Sequence, residues 1–297
     1  MSLPTQQPAA SAQGLVVGRL APTPSGYLHL GNAVNFVLTW LLVRQAGGTL
    51  HLRIDDLDRA RLRRAYLENI FQTISWLGID YDYGPSGPED FLRHYSQLLH
   101  LPDYNRLLRR LSQQPGLVYG SQRTRTGGEP AAVPLATPGA AWRVRVPANT
   151  LVPLADNWQG TLAVPLAQEM PDFMVRKKDG LPTYQLASIA DDLRLGTTLL
   201  VRGLDLLPST ATQLWLAAQL SETSSFAASH VQVFHHALLP GPDGQKLSKS
   251  TQATGDVGII GATGGPRVVY AAVARLLGLP AAAGESLATL LAALNAG

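Results

Sequence analysis

The sequence predicts an α/β fold: a parallel sheet with helices on both faces, a small antiparallel insertion and a short helical C-terminal segment. Three features of the residue pattern carry this. Short apolar runs bounded by Gly and Pro alternate with helix-period segments up to residue 77. A stretch rich in Gly, Pro and Thr then leads into segments that alternate like hairpin strands. From residue 184 the alternation of strand and helix resumes.

Residues 15–20 form the first β-type run, and Pro22, Pro24 and Gly26 supply turn chemistry behind it. A helix is expected from about 31 to 44, with Val34, Leu38, Leu41 and Leu42 on one side, then a strand at 49–54 and a helix at 62–77. Strand, helix, strand, helix at this spacing marks a parallel sheet, because each parallel crossover needs a helix-sized connection. Residues 119–140 are turn-rich and 142–146 and 157–164 alternate as hairpin strands, so the antiparallel insertion is expected over about 115–170. Beyond it the pattern predicts a helix at 184–193, a strand at 199–201, a helix at 209–220, a strand at 231–234, a loop at 240–250 and Ala/Leu-rich helices at 268–276 and 286–294. Residues 251–266 read as a mobile connector. The expected division is a disordered N-terminus at 1–14, an α/β domain at 15–250, and a connector with a short helical segment at 251–297.

Composition removes several classes. The 297 residues include no cysteine, which excludes disulfide scaffolds, thiol catalysis and thiolate-held zinc or iron–sulfur clusters. With 45% hydrophobic and 15% charged residues the chain can bury a core. A net charge of +3, from 24 basic against 21 acidic residues, permits a polyanionic partner without demanding one. Residues 1–14 lack the basic and apolar regions of a signal peptide, and no uninterrupted apolar run reaches the roughly 18 residues of a membrane helix. A cytoplasmic monomer with no membrane partner is expected.

Two segments carry chemistry. Pro22-Thr-Pro-Ser-Gly-Tyr-Leu-His-Leu-Gly-Asn32 lies between the first strand and the first helix. In a parallel sheet such a turn binds ligands, because the amides of a helix N-terminus point at anions. His29 and Asn32 stand three apart there, and Gly31 admits close approach of a ligand to the backbone. His29 can donate to phosphate oxygens whose charge grows during displacement at phosphorus. An ordinary turn with a capping Asn is the plainer alternative. In Gly244-Gln-Lys-Leu-Ser-Lys-Ser250, Lys246 and Lys249 form a movable cationic clamp for a triphosphate, against the alternative of a solvated basic loop.

Together these segments resemble the paired signatures of the class I aminoacyl-tRNA synthetases, His-x-Gly-His/Asn and Lys-Met-Ser-Lys-Ser. The resemblance is to the glutamyl branch: 18–26 (GRLAPTPSG), 53–58 (RIDDLD), 179–184 (DGLPTY), 190–192 (ADD) and 201–203 (VRG) look like that branch's blocks, in order. The resemblance implies a Rossmann-like catalytic domain that uses ATP and Mg²⁺ to activate L-glutamate. It implies a glutamate pocket in which Arg19 and Arg202 pair with the γ-carboxylate, a group that suits a guanidinium fork. Tyr184 would add a hydrogen bond, Asp55 would accept from the α-ammonium, and Thr23 and Ser25 would line the turn. ATP would fall to His29, Gly31, Asn32, Asp205, Lys246, Ser248 and Lys249, with His29, Asn32, Lys246 and Lys249 as the catalytic set.

The departures from that branch are informative. Asp55 stands where Glu is usual, shortening the reach to the ammonium, and Ser188 and Leu193 replace the usual Asn and His. Arg202 is the discriminator, since an amide side chain would need no cation there. Where many relatives begin a zinc site with Cys-x-Cys, this chain reads Tyr119-Gly-Ser-Gln122, so no zinc is expected. His235 and His236 have neither Cys nor a carboxylate near them in sequence and read as structural; no metal ligand is assigned. Only 47 residues follow Ser250, too few for an anticodon-binding domain. That resembles paralogues made of the catalytic half alone, which activate glutamate without tRNA and attach it to the queuosine base in the anticodon of tRNA(Asp). A truncated glutamyl-tRNA synthetase charging 3′ ends, a nucleotidyltransferase and a non-catalytic tRNA-binding paralogue stay open beside this reading.

Overall fold

A computed structural model of the chain describes residues 15–122, 131–227, 231–239, 258–262 and 264–296. The expected disordered terminus at 1–14, Lys246, Ser248 and Lys249 of the lysine loop, and residues 251–257 of the expected connector lie outside the described residues. The elements in chain order are β1 (Val17–Leu20), α1 (Leu30–Gln45), β2 (Thr49–Leu52), α2 (Arg64–Trp76), α3 (Leu101–Ser112), β3 (Val118–Gln122), β4 (Ala131–Val133) and β5 (Ala141–Val144). There follow β6 (Leu151–Asp156), β7 (Gly160–Pro165), β8 (Phe173–Arg176), α4 (Tyr184–Arg194), β9 (Leu199–Gly203), α5 (Leu207–Ala217), β10 (Gln232–His236), α6 (Arg267–Leu277) and α7 (Leu287–Ala296), with shorter helical turns between some of them.

Among the described residues the main sheet has six strands in the order β2-β1-β9-β10-β6-β7. The first five run parallel, and only the edge pair β6 and β7 is antiparallel. The chain leaves β1 in one direction to reach β2 and lays β9 and β10 on the other side. The gap between the carboxyl ends of β1 and β9 is therefore a topological switch point, where open α/β sheets bind ligands.

Helix α1 is more deeply covered than its expected one-sided apolar stripe. Ten of its sixteen residues are buried, among them Phe36, Val37, Trp40 and Val43 beside the predicted Val34, Leu38, Leu41 and Leu42. A helix that is apolar all round needs cover on both sides. The sheet gives one cover and the Ala/Leu-rich helices α6 and α7 the other, through Val269, Val273, Leu290 and Leu294. Gln45 Nε2 donates to the Leu294 carbonyl and Tyr270 Oη to that of Leu77, tying the C-terminal helices to the first half of the chain. Part of the segment expected to be a mobile connector, Gly258–Ala262, is a short helix whose Ile259 N–H bonds the Leu28 carbonyl at 2.9 Å.

The middle also departs from expectation in one respect. The partner of the strand read at 157–164 is β6, and β5 pairs instead with β3 and β8. Val152, Leu154 and Asp156 point inward from β6 while Leu151, Pro153 and Ala155 point out, an alternation that Pro153 disguises in the sequence. The β6–β7 hairpin thus extends the parallel sheet. The second sheet, β4-β3-β5-β8, is antiparallel. Side chains hold it: Tyr119 Oη donates to Asp172 Oδ2 at 2.8 Å, Asp172 Oδ1 accepts the Val146 N–H, Trp142 Nε1 donates to the Leu135 carbonyl, and Arg176 lies over the Trp142 ring. Helix α3 is not among the expected elements, although its buried Tyr104, Leu107, Leu108 and Leu111 recur at helical spacing.

Candidate active site

The turn after β1 is pinned to the segment after β2. Arg53 N–H bonds the Leu20 carbonyl and Asp55 N–H that of Pro22, both at 2.9 Å, so the two chain segments leave the sheet side by side. Asn69 Oδ1 of α2 accepts the Leu28 N–H, and Tyr27 meets the Tyr66 ring edge-on. This brings His29 to the N-terminus of α1, where its N–H donates to Asn32 Oδ1 at 3.0 Å. That is the return half of a capping box, and it fixes Asn32 across the first turn. A side chain at Gly31 would press on the His29 ring at 3.2 Å, so glycine lets the imidazole lie over the helix end. The N-terminal amides of a sixteen-residue helix and one imidazole thereby face the same space, an arrangement suited to phosphate.

Beside this turn lies a buried cluster of charge. Arg53 grips Asp55 with two nitrogens, at 2.7 and 3.0 Å, and reaches Asp192 Oδ1 with a third at 2.7 Å. Arg19 Nε donates to the same oxygen of Asp192 at 2.9 Å. Burial opposes the charge on Arg53, yet Asp192 and Asp55 together raise its pKa well above the ordinary value. For Arg19, burial dominates and, helped by repulsion from Arg202 and Arg53, outweighs Asp192, so its pKa is lowered. Burial also raises Asp55 against the pull of Arg53. Asp192 is lowered despite burial, because Arg19, Arg53 and Arg202 all act on it. Its Oδ2 is buried and has no hydrogen-bond partner among the described residues.

Arg202, at the end of β9, is 3% exposed and makes no ion pair among the described residues. Neutral groups hold it: Nη1 donates to Thr210 Oγ1 at 2.9 Å and Nη2 to Gln213 Oε1 at 2.8 Å. The switch point therefore collects three buried arginines: Arg19 and Arg53 pair with Asp192 and Asp55, and Arg202 makes no such pair among the described residues. Asp56 and Asp191 make their hydrogen bonds elsewhere, although Asp191 still acts through space on Arg53 and Asp55. Asp56 accepts from Ser96 Oγ and the Gln97 N–H, and Asp191 from Tyr104 Oη, Gln97 Nε2 and Arg194.

The remaining site residues sit around this cluster. Tyr184, at the start of α4, is partly exposed and within electrostatic reach of Arg19. Thr23 is exposed in the turn, and Ser25 N–H bonds its carbonyl. Ser188 is buried, with Oγ 3.5 Å from Arg53 Nη2. Asp205 is exposed, and its carboxylate covers Gly203, where any Cβ would stand 2.6 Å from Oδ1. Asp55 is not an isolated acceptor: its two oxygens are engaged by Arg53 and, at 3.4 Å, by Gln97. The sequence reading passed over Arg53 and Asp192, although both stand inside the quoted blocks 53–58 and 190–192.

The carboxylate missing near His235 in sequence arrives from β6. Asp156 Oδ2 accepts from His235 Nδ1 at 2.6 Å. His236 is also buried, which lowers its pKa; its Nδ1 donates to the Ala237 carbonyl and its Nε2 meets Asn35 Nδ2. Among the described residues no group of three or more His, Cys, Asp or Glu could hold a metal ion, and no helix is long and apolar enough to cross a membrane.

The family model for the catalytic domain of class I tRNA synthetases (E and Q) matches residues 15–111 and 136–294. The chain belongs to that family. It is thus a ligase of the aminoacyl-tRNA synthetase type. A Glutamyl-Q tRNA(Asp) synthetase of Symbiobacterium thermophilum is 36% identical over 292 residues, covering 89% of this chain and 87% of its own. One from Nitratidesulfovibrio vulgaris is 35% identical over 80% of this chain and 79% of its own. A glutamate–tRNA ligase of Dehalococcoides mccartyi is 32% identical over 80% of this chain, which spans 51% of that relative. In fold this synthetase is similar to a solved glutamate tRNA ligase of Elizabethkingia meningosepticum, with a TM-score of 0.72 at 24% identity over 95% of this chain and 65% of the other.

Proposed function

We propose that the enzyme activates L-glutamate with ATP to glutamyl-adenylate without needing tRNA, and transfers the glutamyl group to the queuosine base in the anticodon of tRNA(Asp). The observation that carries the first half is Arg202, buried at the switch point with neutral hydrogen-bond partners and no ion pair among the described residues. A buried cation without a counter-ion is costly, and an acidic substrate side chain supplies the missing charge where an amide does not. The relatives named Glutamyl-Q tRNA(Asp) synthetase, matched over most of both chains, support the second half.

In this reading Arg202 and Arg19 hold the γ-carboxylate and Tyr184 adds a hydrogen bond. The α-ammonium finds Asp55 and the unmet Oδ2 of Asp192. The α-carboxylate attacks the α-phosphorus of ATP in line, forming the mixed anhydride and releasing pyrophosphate. His29, Asn32 and the first-turn amides of α1 stabilise the charge that grows on the phosphate oxygens, with Lys246 and Lys249 contributed by the lysine loop. Gly31, Asp205 and Ser248 complete the ATP site. Bound with the triphosphate, Mg²⁺ would shield its charge. In the second step a hydroxyl of the modified base attacks the acyl carbon and AMP leaves.

Labelled glutamate supplied with ATP and total tRNA tests the whole reading. Glutamate-dependent exchange between pyrophosphate and ATP is expected with no tRNA added. Label is expected on queuosine-containing tRNA, in the anticodon fragment and not in the 3′-terminal fragment after nuclease cleavage. Label on unmodified tRNA(Glu) would overturn the queuosine assignment, and absence of exchange would overturn glutamate activation itself.

A further inference from the structure

Behind Arg202 runs a chain of buried polar groups to which neither glutamate nor ATP binding assigns a role. Arg202 Nη1 donates to Thr210 Oγ1, Thr210 Oγ1 lies 2.9 Å from His235 Nε2, and His235 Nδ1 lies 2.6 Å from Asp156 Oδ2. Thr210, His235 and Asp156 are all at least 95% buried. The order of the strands makes this possible: His235 of β10 stands opposite Arg202 of β9, and β6 lays Asp156 on the far side of β10. Asp156 is fixed by the backbone, its Oδ1 accepting the N–H groups of Trp158 and Gln159 at 2.9 Å. Gln159 Nε2 in turn donates to the His235 carbonyl at 2.7 Å. With Asp156 accepting at Nδ1, that nitrogen carries the proton, and the hydrogen-bond network thereby sets the ring's orientation toward Thr210.

The distribution of charge along this chain is specific. A carboxylate in direct contact with Arg202 would neutralise it and remove its reason to bind an anion. Here only neutral acceptors touch the guanidinium, Thr210 Oγ1 and Gln213 Oε1, and the second is aimed by Gln185, whose Oε1 accepts from Gln213 Nε2. Asp156 stands one imidazole and one hydroxyl away, where it orients the chain without pairing with the arginine, and Asp192 acts on Arg202 through space without a hydrogen bond to it. We propose that Asp156, His235 and Thr210 form a positioning relay that holds the Arg202 guanidinium free of a direct ion pair and aimed at the substrate side chain, and so sets the preference for a carboxylate over an amide. The proposal rests on the reading of Arg202 as the partner of the glutamate γ-carboxylate.

The test is pyrophosphate–ATP exchange by the full chain and three variants, with KM measured separately for glutamate and ATP and with glutamine as competing substrate. Thr210→Val keeps the shape and removes the hydroxyl. It is expected to raise the glutamate KM about tenfold or more, to leave the ATP KM within about twofold, and to narrow the preference over glutamine. Thr210→Ser, which restores a hydroxyl, is expected to restore the glutamate KM. His235→Gln loses the hold of Asp156 and is expected to show the same split, which carries the test should Thr210→Val fail to fold by circular dichroism. Equal losses toward both substrates, no loss at all, or no rescue by Thr210→Ser would overturn the relay while leaving glutamate activation intact. A wild-type enzyme without exchange would overturn the functional reading and the relay with it.

Discussion

Arg19 Nε donates to Asp192 Oδ1 at 2.9 Å, joining the end of β1 to helix α4 across 173 residues of sequence. Arg53 uses the same oxygen, so one carboxylate anchors two buried cations. Removing a single partner from such a group leaves charge buried and unpaired. Asp192→Asn is expected to cost about 3–5 kcal/mol of unfolding free energy. Chemical denaturation should show a lower midpoint at unchanged slope. A loss within the roughly 1 kcal/mol of an exposed pair would mean that the arginines find other partners.

The two carboxylates of this cluster should respond to acid in opposite senses. Asp192 is lowered in the folded state, so its contribution is complete above the ordinary aspartate value of about 3.9 and is lost as pH falls through its folded value. Asp55 is raised, so its contribution is complete below that ordinary value and is lost as pH rises through its folded value. Unfolding free energies measured from acid to neutral pH are expected to lose acid sensitivity in Asp192→Asn. In Asp55→Asn, stability should climb more steeply with pH than in the wild type. The same slope in both variants would contradict the opposed shifts.

Kinetics should separate the two halves of the site. Arg202→Ala removes the cation proposed to hold the γ-carboxylate and is expected to raise the glutamate KM by roughly a hundredfold, the worth of a charged hydrogen-bonded contact, while ATP binding changes little. In the proposed reaction His29→Ala acts where charge develops, and it is expected to lower kcat by about 10²-fold or more with glutamate binding nearly unchanged. Steady-state exchange with each substrate varied decides both. Parallel losses for Arg202→Ala would make that residue structural.

What could be read in the sequence was what is local. The strand and helix alternation of an α/β sheet, the His29 turn and the arginines at strand ends are each written within a few residues. What escaped depends on register and long-range pairing. Asp192 meets Arg19 and Arg53 only because β9 lies beside β1, and Asp156 meets His235 only because the hairpin joins the parallel sheet. Asp55 has local partners as well, yet which of Asp55, Asp56 and Asp58 faces the arginines is set by Ser96 and Gln97, which occupy Asp56 from another segment. No periodicity encodes such distances. The all-round burial of α1 was hidden for the same reason, since its second cover comes from the far end of the chain.

The antiparallel sheet offers a control in which packing can be disturbed without touching the charge cluster. Gly120 of β3 faces Val133 of β4, and a Cβ there would stand 2.6 Å from the carbonyl oxygens of both Val133 and Pro134. Those atoms belong to the backbone and cannot swing aside like the end of a side chain, so Gly120→Ala must push β4 away from β3. Forcing a methyl into such a contact costs about 1–3 kcal/mol. Because β4 is an edge strand, the cost should appear as local opening: faster hydrogen exchange and easier proteolysis in β3 and β4, with the protection of β1 and β9 kept. The glutamate KM should stay where it is, since Arg19, Arg53, Arg202, Asp55 and Asp192 all lie outside the β4-β3-β5-β8 sheet. If the substitution instead lowers protection throughout the main sheet and weakens glutamate together with it, the two sheets unfold as one unit and the insertion is part of what holds the pocket.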